Sequence, residues 1–261
     1  MRTILCAFFV SCLFLASFTL FSFQPLGAPR IAYGSTQSLN WAGYAVVVRS
    51  GEVNAAYGSW IVPSLSCSKS TTYAAFWVGI DGYNDSTVEQ TGVLGECAHG
   101  SAVYAAWYEF YPASPVYAPS SDVVKPGDTM YANVTYVSSS GCFVTVLKDI
   151  TEGWSYKSPC TTVSGAARSS AEWITERPAI GGSLTTLANF GKAYYGLDYT
   201  SVSNTNVVVI NGVTYTIGAS PNYVAITMVN NKGATLATPS SLSTDGTSFY
   251  VSYTSSTATA K

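Results

Sequence analysis

Charge is what this sequence has least of. Asp, Glu, Lys and Arg make up 10% of 261 residues, with 12 Lys plus Arg against 14 Asp plus Glu, and the single histidine is His99. A Ser-His-Asp or Cys-His centre needs an imidazole to take the nucleophile's proton, and His99 sits in "GECAHG", a glycine-flanked turn beside a cysteine, where it reads as structural. The formal net charge of −2 argues against nucleic acid as a partner. Gly-rich phosphate cradles of the Walker or dinucleotide type are absent. No cysteine pair has C-x-x-C spacing, and one imidazole is too few for a zinc site, so neither metal nor cofactor is expected. From Asn40 onward no apolar stretch at 3.6 spacing is long enough for a well-supported helix. Any proton transfer must therefore fall to carboxylates. The shortage of charge also bears on acid tolerance: acid unfolding comes largely from protonating paired carboxylates and from cationic repulsion, and this chain has few of either.

The one long apolar run stands at the start. Arg2 precedes "ILCAFFVSCLFLASFTLF", with Pro25 and Gly27 following, the pattern of a secretory signal peptide ending near residue 28. A retained anchor helix is the competing reading, because about 18 apolar residues lie at the edge of spanning length. Nothing later is apolar for long enough to cross a bilayer, so the expectation is a secreted, extracellular monomer with no membrane contact after cleavage. Residues 29–39 read as a short linker or propeptide remnant, 40–254 as one domain and 255–261 as a frayed tail. Roughly 230 residues remain without the leader, enough to bury on the order of 70% of the unfolded surface. Cys6 and Cys12 leave with the leader. The remaining Cys67, Cys97, Cys142 and Cys160 allow three pairings in an exported chain, of which Cys67 with Cys97 and Cys142 with Cys160 is favoured because each pair flanks one local excursion. Asn84 and Asn133 fit the N-x-S/T glycosylation pattern.

What is present in quantity is β pattern. In "TMYANVTYV" the side chains Met130, Ala132, Val134 and Tyr136 share one face, opposite Tyr131, Asn133 and Thr135, as in a half-buried strand. "CFVTVLKDI" alternates likewise, and "VVVINGVTYTI" places Asn211 and Gly212 between two β-branched runs, a hairpin signal. Turn clusters recur at 126–128, 181–183 and 245–246. Many short antiparallel strands in one domain imply an all-β sandwich or barrel.

Few carboxylates lie in aromatic or apolar surroundings able to shift a pKa. Asp81 follows "FWVGI", Glu109 sits in "AAWYEFYP" and Glu172 in "SSAEWITERP". Each has a structural alternative: Glu109 pointing outward from a strand, Asp81 heading a turn beside Gly82, Glu172 closing an S-x-x-E capping box with Ser169. The cap is disfavoured, since Pro178 leaves too few residues for a helix, while Glu172, Ile174 and Glu176 fall in phase on one side of a strand.

Five stretches occur in a specific order: "NWAGY" (40–44), "FWVGIDGY" (76–83), "EQTGV" (89–93), "AWYEFYP" (106–112) and "AEWI" (171–174). Together they resemble the glutamic peptidases, or eqolisins, secreted acid endopeptidases of fungi with bacterial and archaeal relatives. The resemblance implies an antiparallel β-sandwich of two large sheets, similar to the legume-lectin (concanavalin A) fold. It also implies a catalytic pair of one glutamine, in a Q-T-G motif that is here Gln90, and one glutamate, in an A-E-(aromatic)-I motif that is here Glu172. In that reading Glu172 activates water and returns its proton to the leaving nitrogen, while Gln90 holds the water or the oxyanion. Trp41, Trp77, Asp81, Trp107, Glu109 and Tyr111 match positions lining the family's substrate cleft, although aromatics in a sandwich also serve as plain packing. The substrate would be a protein or peptide, and the activity insensitive to pepstatin. Two other classes are carried forward: a glycosidase using Glu109 and Glu172 across an aromatic groove, and a non-catalytic carbohydrate-binding module.

Overall fold

The computed structural model describes residues 37–255. The leader expected over 1–28, all of the linker before Gln37 and the tail beyond Ser255 lie outside the described residues.

In chain order the strands are β1 (Gln37–Ser38), β2 (Trp41–Val47), β3 (Val53–Ile61), β4 (Thr72–Ile80), β5 (Val88–Ala98), β6 (Ser101–Tyr111), β7 (Val116–Tyr117), β8 (Thr129–Val137), β9 (Cys142–Asp149), β10 (Trp154–Lys157), β11 (Ser170–Glu176), β12 (Ala179–Ile180) and β13 (Ser183–Leu184). β14 (Lys192–Tyr195), a single helical turn α1 (Leu197–Thr200), β15 (Val207–Ile210), β16 (Val213–Thr216), β17 (Tyr223–Val229), β18 (Thr235–Pro239) and β19 (Phe249–Tyr253) follow. The pairings sort into two layers. One runs β17-β2-β11-β4-β5-β6-β7, antiparallel throughout. The other runs β10-β9-β8-β3, with β14 and β15 sharing the far edge of β3 and β19 and β18 beyond β14. β17 belongs to both: Tyr223 to Ile226 pair with β2, whereas Met228 and Val229 pair with β18. One strand thus joins the layers along a side and leaves no free sheet edge there.

The main core lies between the layers and follows the alternation of the strands. Tyr44, Phe76, Val78 and Trp173 from the first layer face Trp60, Met130, Ala132, Val134 and Leu147 from the second. Met130, Ala132 and Val134 are fully buried while Tyr131, Asn133 and Thr135 are half-buried, the two faces expected from the sequence. Within this core the Trp173 indole donates to the Tyr57 carbonyl at 2.8 Å. Asn211 and Gly212 form the two-residue turn of the β15–β16 hairpin, both at positive φ (51° and 81°), which suits their residue types. The disulfides pair Cys67 with Cys97 and Cys142 with Cys160, as the local arrangement suggested.

Two residues read from sequence as linker take part in strand pairing. Gln37 and Ser38 pair in parallel with Thr227 and Met228 of β17, and Ser38 is fully buried. A two-residue strand is too short to show alternation, so the sequence carried no sign of it.

The first layer has a second apolar cluster on its other face, built from Trp41, Ala45, Ala75, Trp77, Trp107 and Ile174 among others, with Tyr83, Tyr111, Tyr117 and Ile180 half-buried around it. β4 and β11 are consequently buried on both faces. This second face carries the polar groups of interest.

Candidate active site

Cross-strand register decides which side chains share that face, because directly opposed residues of an antiparallel pair project to the same side. β11 lies between β2 and β4. Glu176 is opposite Trp41 and Ala75, Ile174 opposite Gly43 and Trp77, and Glu172 opposite Ala45 and Gly79. Gln90 on β5 is opposite Gly79 on one side and Glu109 of β6 on the other, while Gly92 stands between Trp77 and Trp107. The in-phase pair read from "AEWITE" therefore presents both glutamates to the face that bears Gln90, Glu109 and the tryptophans.

Their surroundings differ sharply. Glu176 Oε1 accepts from Asn40 Nδ2 at 3.1 Å and from the Trp41 indole at 3.2 Å, and Oε2 accepts from the Trp77 indole at 2.7 Å. The two indoles meet edge to face with centroids 4.9 Å apart, which fixes the direction of both N–H groups. Burial pushes the Glu176 carboxyl up, the three donors pull it back, and it comes to rest at about 7. Glu172 is fully buried, neither of its oxygens has a hydrogen-bond partner among the described residues, and the charged groups acting on it are carboxylates: Asp81, Asp85 and Glu89. Burial raises it well above the ordinary glutamate value, with only the nearby Ser170 hydroxyl opposing. A carboxyl that must gain and lose a proton in each cycle needs stabilisation in both states. Glu176 has it and Glu172 does not.

Gln90 Nε2 donates to Glu109 Oε2 at 2.7 Å, while Gln90 Oε1 is buried with no protein partner. Burial first, and then the charge of Glu176, raises Glu109 to about 8, against the pull of the Gln90 hydrogen bond. Trp77 connects the two halves of the site. Its indole N–H reaches Glu176, and its far edge lies over Gly79, where a Cβ would stand 2.9 Å from Trp77 Cζ3 and 3.3 Å from Gln90 Cβ. Gly92 permits this, since a Cβ there would meet Phe76 O at 2.2 Å and Trp77 Cβ at 2.5 Å.

Of the residues singled out from sequence, the structure brings together Gln90, Glu109, Glu172, Trp41 and Trp77 on one face, with Trp107 and Tyr111 packed in the same aromatic cluster. It does not bring Asp81 there. The Asp81 carboxylate accepts the backbone N–H groups of Arg168 and Ser169, each at 2.7 Å, and so ties the end of β4 to the entry into β11. Ser169 donates to Asp85 and caps no helix. Glu172 and Glu109 stand at the two ends of one cross-strand row through Gly79 and Gln90, with three strand spacings of about 4.8 Å between their backbones. The residues that sequence reasoning missed are Glu176 and Asn40. The phase of β11 pointed to Glu176 as strongly as to Glu172, and nothing local to either distinguished them.

Comparisons with known proteins identify the family and the fold. A sequence profile described as the Peptidase A4 family matches residues 39–253. Aspergillopepsin-2 of Aspergillus niger is 33% identical over 183 residues, 60% of this chain and 62% of that protein. Scytalidopepsin B of Scytalidium lignicola is 32% identical over 146 residues, 54% of this chain and 53% of that protein. The chain thus matches less than two thirds of the length of these curated relatives. Among solved structures, scytalido-glutamic peptidase with a transition state analog inhibitor superposes with a TM-score of 0.68 at 21% identity, covering 82% of this chain and 98% of that one, which speaks for the fold. Aspergilloglutamic peptidase from Aspergillus niger gives a TM-score of 0.59 at 27% identity, covering 70% and 99%. With the family profile spanning nearly the whole described domain, and the antiparallel sandwich of the solved glutamic peptidases reproduced here, the chain belongs to the Peptidase A4 family, the eqolisins.

Proposed function

We propose that this protein is a secreted acid endopeptidase in which Glu176 and Gln90, and not Glu172 and Gln90, carry the hydrolysis of peptide bonds in protein substrates. The observation that carries this reading is the Trp77 ring, whose N–H holds Glu176 and whose far edge lies beside Gln90. Family membership supports the class of reaction, and the two disulfides support an exported, extracellular protein.

Below its pKa of about 7, Glu176 carries a proton in the free protein. It donates that proton to the scissile carbonyl oxygen as water adds to the carbon, then takes a proton from the added water to leave a neutral gem-diol. The same proton passes to the nitrogen as the C–N bond breaks, and one hydroxyl proton returns to Glu176 as the product carboxyl forms. Gln90 Oε1 holds the attacking water, and the second hydrogen on Nε2 is available to the carbonyl oxygen as charge develops. Glu109 keeps the Gln90 amide in this orientation through the 2.7 Å bond. An amide at position 90 also spares Glu176 a nearby carboxylate, which would raise its pKa more. Activity falls as pH rises and Glu176 loses its proton.

The test is hydrolysis of a denatured protein at about pH 3 to 5 with pepstatin present, comparing wild type with Glu176→Gln and Glu172→Gln. Loss of turnover in Glu176→Gln with retention in Glu172→Gln is expected. The reverse pattern would return the role to Glu172, and turnover in both variants would refute a glutamate mechanism.

A further inference from the structure

Glu176 is served by residues that immediately follow the short strand β1, and β1 itself contributes one side chain to the arrangement. The buried Ser38 hydroxyl donates to Asn40 Oδ1 at 3.0 Å and accepts the backbone N–H groups of Asn40 at 3.3 Å and Trp41 at 3.1 Å. An asparagine amide has two faces of similar shape and opposite polarity. With Oδ1 occupied by the Ser38 hydroxyl, Nδ2 must point the other way, where it meets Glu176 Oε1 at 3.1 Å. The Asn40 carbonyl accepts the backbone N–H of Arg177, the residue after Glu176, so the two strands are pinned beside this contact as well. Ser38 is placed in turn by the parallel pairing of β1 with Thr227 and Met228 of β17.

We propose that Ser38 is a positioning residue for peptide hydrolysis, fixing the orientation of the Asn40 amide so that it donates to the Glu176 carboxyl. This rests on the reading of Glu176 as the proton-transferring group. Ser38 touches neither substrate nor Glu176 and acts through Asn40 and the Trp41 backbone. Among the described residues, the packed elements around Glu176 offer Glu109 of β6, the tyrosines Tyr73, Tyr111 and Tyr117 of the same cluster, and the neutral Trp41 and Trp77 of β2 and β4; along its own chain stand Glu172 and Arg177. None of these changes when Ser38 is replaced. Without the hydroxyl the amide is free to turn its oxygen toward Glu176, which accepts a proton from the acid form and repels the ionised form. The protonated state gains, and activity should persist to higher pH.

The experiment measures the pH dependence of kcat/KM on a peptide substrate for the full chain and for Ser38→Ala, Ser38→Thr and Asn40→Ala, with Glu176→Gln as reference. Ser38→Ala should move the limb of falling activity upward by roughly half a unit to one unit and lower kcat at the wild-type optimum, leaving KM within a factor of about two. Asn40→Ala, which removes the donor without adding an acceptor, should move the same limb in the same direction. Ser38→Thr, which keeps the hydroxyl, should bring the limb back. A folded Ser38→Ala protein whose profile superimposes on wild type overturns the proposal, as does a Ser38→Thr protein that stays displaced. If Ser38→Ala does not fold, Asn40→Ala decides: an unmoved limb overturns the proposal. An active Glu176→Gln protein would instead refute the underlying reading.

Discussion

At the residue scale the decisive contrast is between two glutamates four positions apart on one strand face. Glu176 has three side-chain donors and Glu172 none, although both are fully buried. Replacing Glu176 by Gln keeps the volume and removes the exchangeable proton, and kcat should fall by about 10²- to 10⁴-fold while thermal unfolding at acid pH changes little. Glu172→Gln should leave kcat within a factor of a few. Gln90→Ala removes both the water-holding oxygen and the donor, for an expected loss of about 10²- to 10³-fold, measured as kcat at saturating peptide. The residue types needed for this chemistry were legible in the sequence: the shortage of histidine forced attention onto carboxylates, and the Q-T-G stretch singled out Gln90. The choice between Glu172 and Glu176 was not legible, because their indole and amide donors come from positions 40, 41 and 77, more than 90 residues away in the chain.

At the scale of elements, the site depends on how closely neighbouring strands approach the Trp77 ring. Gly92 faces Trp77 across β5 and β4, where a methyl group would stand 2.2 Å from Phe76 O and 2.5 Å from Trp77 Cβ. Gly92→Ala should destabilise the fold by about 1–3 kcal/mol through overpacking and should lower kcat further by displacing the indole from Glu176. Chemical denaturation and near-ultraviolet circular dichroism would register the two effects separately. The Asx-Gly hairpin over Asn211 and Gly212 was readable from its residues alone, since its signal is local and steric. Strand β1 was not. Its pairing with β17 joins positions about 190 apart, and its importance lies in what Ser38 does for Asn40. Any processing of the N-terminal segment should therefore cut upstream of Gln37, and intact-mass measurement of the active form should find Ser38 retained; active protein beginning after Ser38 would contradict this.

For the molecule as a whole, the buried carboxyls set an unusual dependence of stability on pH. Burial, then the charge of Asp85, raises Asp81 to about 6; Glu176 stands at about 7 and Glu109 at about 8; Glu89 and Glu172 lie well above the ordinary glutamate value. All these folded-state values exceed those of the unfolded chain. The stability they contribute is thus complete below about pH 4, where both states are protonated, and is lost as pH rises through the folded values. Calorimetric scans should show Tm falling by at least about 10 °C between pH 4 and pH 8, with the fall reduced in Glu172→Gln. A flat or rising profile would contradict this. The sparse charge suggested a chain with little to lose in acid; the structure adds that its carboxyls favour acid outright. Composition shows how many acids there are, whereas burial decides the direction in which each one shifts.

By itself the sequence determined that this chain is built from antiparallel strands, that Cys67, Cys97, Cys142 and Cys160 could pair locally, and that proton transfer would fall to carboxyls; the sandwich and the roles of Gln90 and a glutamate came from the resemblance to the glutamic peptidases. The first three follow from alternation, turn residues and composition, all of which act over a few positions. Only the tertiary structure decided that Glu176 is the supported carboxyl, that Asp81 serves the backbone, and that Ser38 lies inside the domain. Each of those depends on hydrogen bonds or strand pairings between distant segments, and the free energy of burying a carboxyl is set by whichever donors the fold brings to it.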